Sequence, residues 1–150
     1  MGQAQLLLIV LGVVLVGIAI IAGIQAYTTN NVKASIDAQV HDMMRIASDV
    51  QTWVQKPPQF GGPDTYADFT AVTDFSVLNY KNSAGTAADE KWTNVNAVYT
   101  MAEGTNAGVT VTSENAELGT HVALAVCGIN DSDIKIATSA DGAPDPAPSC

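Results

Sequence analysis

A chain of 150 residues with a formal net charge of −9 has room for one modest core. Residues 1–56 balance Lys33, Arg45 and Lys56 against Asp37, Asp42 and Asp49, whereas residues 57–150 set three lysines against twelve acids. A body that acidic lacks the Lys and Arg needed to hold phosphates, which argues against nucleic acid as a direct ligand.

From Leu6 to Ile24 no side chain is polar, and fourteen of those nineteen residues are Leu, Ile or Val. A spanning helix needs about 20 apolar residues for a hydrocarbon core roughly 30 Å thick. The fourteen favour insertion by on the order of 4–8 kcal/mol before the glycines are discounted. A cleaved secretory signal would begin with Lys or Arg and have a shorter apolar run ending in a small-x-small site. A helix buried in a soluble core would need far more cover than the 94 residues after Lys56 provide. The expected element is a membrane-length helix, interrupted by Gly12, Gly17 and Gly23. Glycine there costs roughly 0.5–1 kcal/mol relative to alanine. These positions are candidates for local unwinding or close helix approach, although membrane helices also tolerate glycine without such a role.

Beyond Thr28–Asn31 the residues Val32, Ile36, Val40, Met43, Ala47, Val50 and Val54 recur at spacings of 4, 4, 3, 4, 3 and 4. This is one face of an α-helix, widened by Ile46 and Trp53, with Lys33, Asp37, Gln39, Asp42, Arg45 and Asp49 placed off it. Pro57-Pro58 ends it. The economical expectation is one helix of about 50 residues, roughly 75–80 Å long; a break at Thr28–Asn31 is the alternative, since Thr and Asn are mediocre helix formers. Three segments follow: residues 1–28 apolar, 29–56 amphipathic, and 57–150 a β-rich head.

Phe60–Val72 opens with Gly-Gly-Pro and reads as loop, with one helical turn capped by Asp64. Phe75–Tyr80 reads as a short edge strand. Four β-branched runs then appear, Trp92–Met101, Gly108–Ser113, His121–Ile129 and Ile134–Ser139, linked by turn-like segments rich in Gly, Asn and Asp. Short links imply antiparallel neighbours. The expected fold is α+β: a long helix whose Val32–Val54 stripe covers one face of a meander of about four strands. On that packing Val40, Met43, Ala47, Val50 and Val54 face the strands, while Asp42 and Asp49 face solvent or a neighbouring subunit.

Little in the sequence suggests catalysis or a cofactor. His41 and His121 stand alone, and no nucleophile elbow or phosphate loop is present. Asn130, Asp131 and Asp133 put oxygen ligands at spacings some calcium loops use, but without the glycine and distant glutamate of an EF-hand. A tight turn is the simpler reading. Asn130-Asp131-Ser132 is also a glycosylation sequon, a frequent pattern. Trp53, Trp92 and Tyr27 suit packing or an interface better than a stacking ladder.

Taken together, the short polar start, the uncharged helix GQAQLLLIVLGVVLVGIAIIAGI, its amphipathic continuation, the connection FGGPDTYADF and a late cysteine pair resemble a type IV pilin over the whole chain. The resemblance implies a structural subunit of an extracellular filament that polymerises with itself and is held in the inner membrane by one span before assembly. The filament core would be formed by Leu6, Leu7, Leu8, Ile9, Val10, Leu11, Val13, Val14, Leu15, Val16, Ile18, Ile20, Ile21 and Ile24. It implies as partners a prepilin peptidase and an assembly machinery, with N-terminal methylation, and no cofactor. Met1, Gly2 and Gln3 are the processing candidates: either Gly2 ends a leader and Gln3 is the first mature residue, or Met1 is. The family's usual glutamate five residues into the mature chain is replaced by Gln5 or Leu7 accordingly, so no carboxylate is there to pair with a neighbour's amine. A secretion-system pseudopilin or minor pilin is the alternative within the family. An anchored binding domain that never polymerises is the alternative outside it, with an enzyme third. The resemblance also points to a disulfide between Cys127 and Cys150, the only cysteines, which suits an oxidising compartment; a buried free thiol at Cys127 is the other possibility.

Overall fold

The computed structural model describes residues 2–82, 88–104, 108–139 and 148–150. Helix α1 (Gly2–Val54) is followed by strands β1 (Lys91–Thr93), β2 (Val98–Glu103), β3 (Val109–Asn115), β4 (Thr120–Val126) and β5 (Ile134–Ser139). The chain forms two compact units, Met1–Ala34 and Ser35–Cys150.

In the first unit the backbone is helical throughout its described residues. No proline interrupts it, and every side chain from Leu6 to Ile24 is apolar, so nothing competes with the helical hydrogen bonds. The Thr28–Asn31 stretch does not break the helix. Thr28 and Thr29 turn their hydroxyls back onto the Gln25 carbonyl, at 3.0 and 2.9 Å, so their polar groups are satisfied inside the helix.

In the second unit the remaining turns of α1 lie against a five-stranded antiparallel sheet of order β1-β2-β3-β4-β5. Period-two alternation selects the inward face: Tyr99 and Met101 on β2, Val109 and Val111 on β3, Val122, Leu124 and Val126 on β4. Met43, Ile46, Ala47, Val50 and Val54 meet them from the helix, all fully buried, with Ile36, Val40 and Trp53 partly buried at the margin. Phe69, Val72 and Phe75 complete the core from the long connection.

The α+β meander holds, with corrections in detail. Trp92–Met101 is two strands rather than one, because Asn94 accepts from the N–H groups of Asn96 and Ala97 and bends the chain into a tight turn. Phe75–Tyr80 is a turn, not an edge strand. The Asp74 carboxylate accepts from the N–H groups of Ser76 and Val77 and from the Ser76 hydroxyl. Such local bonds outcompete a β-ladder, and Asn79 adopts φ +62 to close the turn. The short helical turn is Phe69–Ala71, capped by Asp68 rather than Asp64. Ile46 is as fully buried as Met43, Ala47, Val50 and Val54 of the stripe it widens. Cys127 is the residue after β4 rather than within it. After Val54 the chain reverses through the Pro58–Phe60 turn and passes so close that a Cβ on Gly62 would run into the Lys56 carbonyl.

Candidate functional site

The fourteen Leu, Ile and Val residues named for a filament core are all exposed, each keeping between 52 and 70% of its surface accessible. Among the described residues none buries any part of this apolar window, which is long enough to cross a membrane. Complete burial of such a side chain is worth about 1.5–3 kcal/mol, so leaving fourteen in water forgoes on the order of 20 kcal/mol. Around Gly12, Gly17 and Gly23 there is open space where a Cβ would stand. Packing within this chain therefore does not demand glycine at these positions. Gly2 and Gln3 belong to the helix, and Met1 lies outside the described residues.

The second unit ties its helix to its sheet with polar contacts on both flanks of the stripe. Asp42 and Asp49 do not simply face solvent or a neighbour. Asp42 Oδ2 accepts from Asn94 Nδ2 (2.8 Å), Asn96 Nδ2 (2.7 Å) and the Tyr99 hydroxyl (2.8 Å). Burial pushes its pKa up, but the bonds from Asn96, Asn94 and Tyr99 and the nearby His41 outweigh this and hold it below the ordinary value. Asp49 accepts from the Tyr80 hydroxyl at 2.6 Å. Both phenols are pushed well above their usual range, by burial first and then by the carboxylate each one faces. Between them stands Trp92, with ring centroids 4.9 Å from Tyr80 and 5.2 Å from Tyr99.

Gln39, expected off the stripe, is completely buried. Its amide oxygen accepts from Ser113 Oγ at 2.6 Å, and its amide nitrogen donates to Thr120 Oγ1 at 2.6 Å and Ser35 Oγ at 3.1 Å. Gln51 donates to the carbonyls of Gly128 and Asn130. Polarity alone does not mark these clamps, because most polar side chains on a helix point to water. Ser113 and Thr120 in otherwise apolar strands were the available signal, since a buried amide needs such partners.

The cysteines are joined. Cys127 and Cys150 form a disulfide with Cα atoms 5.4 Å apart, and Lys135 Nζ holds the adjacent Ser149 carbonyl at 2.8 Å. Gly108 sits beneath Cys150, where a Cβ would collide with its sulfur.

The calcium candidates Asn130, Asp131 and Asp133 form a tight turn. Asp133 Oδ2 accepts from the backbone N–H and the side-chain amide of Asn130, while Asp131 is exposed on the short helical turn between them. Among the described residues no group of three or more His, Cys, Asp or Glu is placed to hold a metal ion.

No protein-family model, curated protein or solved structure matches the chain.

Proposed function

We propose that this chain is the structural subunit, in the manner of a major pilin, of an extracellular type IV pilus-like filament. It is anchored in the inner membrane before assembly and polymerises through its N-terminal helix. One observation carries the reading: the Leu6–Ile24 stretch of the helix is apolar all round and its large side chains are exposed, while the Ser35–Cys150 unit has a core of its own. Such a helix is tolerable in a bilayer or among other apolar helices, and intolerable in water. The same surface then serves both states, lipid around it before assembly and identical helices after. The oxidised cysteine pair supports placing the head outside the cytoplasm.

Negative-stain microscopy of sheared cell-surface material, with mass spectrometry of the filament band, tests the proposal. Filaments composed of this chain are expected, and they should vanish in the Val14→Asp variant while the head remains folded. Wild-type chain recovered only from membranes, never as polymer, would leave an anchored domain instead.

A further inference from the structure

The turn that joins β1 to β2 is held by six hydrogen bonds, and the side chain at its apex is wholly exposed. Asn94 Oδ1 accepts from the N–H groups of Asn96 (2.8 Å) and Ala97 (3.0 Å), and the Asn94 N–H donates to the Ala97 carbonyl at 3.1 Å. The side-chain amides of Asn94 and Asn96 both donate to Asp42 on the helix, at 2.8 and 2.7 Å. From the other side Asn115 Nδ2 donates to the Asn96 carbonyl at 2.8 Å. At the tip, Val95 is 100% exposed.

A single exposed apolar side chain is ordinary on a protein surface. What sets Val95 apart is the backbone beneath it. Turn tips favour Gly, Pro, Asn, Asp and Ser, and valine belongs in strands, where neighbours cover it. Here a β-branched side chain stands on a turn fixed from two directions, so little ordering entropy remains to be lost when a partner closes over it.

The charge pattern indicates which partner. No Asp, Glu, Lys, Arg or His lies between Trp92 and Ala102, within a region that carries three lysines against twelve acids. Asp42, the carboxylate bonded to the turn, is covered by three donors, and the exposed Glu114 pairs with Val98 at the base of the turn rather than at its tip. Identical acidic heads repel wherever their carboxylates face each other, whereas a charge-free projection approaches another copy without that cost.

We propose that the β1–β2 turn is a contact point between copies of this chain, with Val95 inserted against a neighbouring head. This rests on the filament reading, and the two can fail separately. The test places a benzophenone-bearing amino acid at position 95 of the full chain and irradiates purified filaments. The expected product is a covalent dimer whose second peptide comes from residues 35–150 of another copy. In parallel, Val95→Asp should lower filament yield by about tenfold or more, since a carboxylate enters an apolar contact, while the oxidised head keeps its wild-type circular dichroism and melting temperature. A wild-type chain that forms no filaments overturns the filament reading and this contact with it. Wild-type filaments that give no dimer from position 95, or an undiminished yield of Val95→Asp filaments, overturn the contact alone. Cross-links to a different protein overturn the assignment to a second copy.

Discussion

The Tyr99 hydroxyl donates to Asp42 Oδ2 at 2.8 Å, joining the second strand to the helix through the same oxygen that fixes the β1–β2 turn. Because Asp42 is held below its ordinary value of 3.8, the folded state favours the charged form. Its contribution is complete above that value and is lost as pH falls through the depressed one. The stability advantage of wild type over Asp42→Asn should therefore shrink below about pH 4. At neutral pH, Asp42→Ala should cost roughly 1.5–3 kcal/mol, the range for hydrogen bonds to a charged group. Urea denaturation at pH 7 and pH 3 measures both; an advantage unchanged with pH would show that the carboxylate charge does no work at this joint.

The opposite sign applies to Tyr80 and Tyr99. Their phenols are raised above the ordinary value of 10.0 by burial and by Asp49 and Asp42, so the fold favours the neutral form. That contribution is complete below the ordinary value and declines as pH rises beyond it. Replacing both by phenylalanine should flatten the loss of stability above pH 10, measured by thermal melts. Absorbance at 295 nm should show these two phenols of the wild type ionising late.

Packing at the helix–sheet interface can be tested by truncation. Met43 is fully buried, so Met43→Ala should cost roughly 2–5 kcal/mol. Gln39→Ala should cost about 2–3 kcal/mol, because it leaves the Ser113 and Thr120 hydroxyls without their buried partner. Denaturant midpoints of the head read both directly, and wild-type midpoints would place the sheet's contact elsewhere on the helix.

The disulfide closes a loop of about 24 residues, worth roughly 3 kcal/mol in the chain-entropy account. Intact mass under denaturing, non-reducing conditions should show no alkylatable thiol in wild type. Gly108→Val should free thiols and lower stability toward that of Cys127→Ser, since a side chain there meets Cys150 sulfur. Complete oxidation of Gly108→Val at wild-type stability would contradict this seating.

A chain beginning at Thr28 retains the compact Ser35–Cys150 unit and loses the apolar surface. It should be a soluble monomer by light scattering, with an unchanged head. Persistent polymers of this chain would move the principal interface from the helix to the head.

The sequence by itself determined the long helix, its two chemical halves, the antiparallel order of the sheet and the helix stripe that covers it. Each depends on periodicity or on short links, which are properties of neighbours along the chain. It also placed fourteen Leu, Ile and Val residues in one uncharged run, and all of them stay exposed. Only the tertiary structure decided which polar residues are structural. Gln39 and Asp42 look like surface residues on a helical wheel, yet one is buried against Ser113 and Thr120 and the other receives Tyr99, Asn94 and Asn96. Their partners lie between 52 and 81 residues away, and hydrogen bonding across such distances leaves no local pattern. The turns at Phe75–Tyr80 and Asn94–Ala97 lie between these extremes. Their Asp and Asn side chains were visible, but their competition with β-propensity is settled by whether each backbone donor finds a nearby oxygen, which depends on geometry rather than composition.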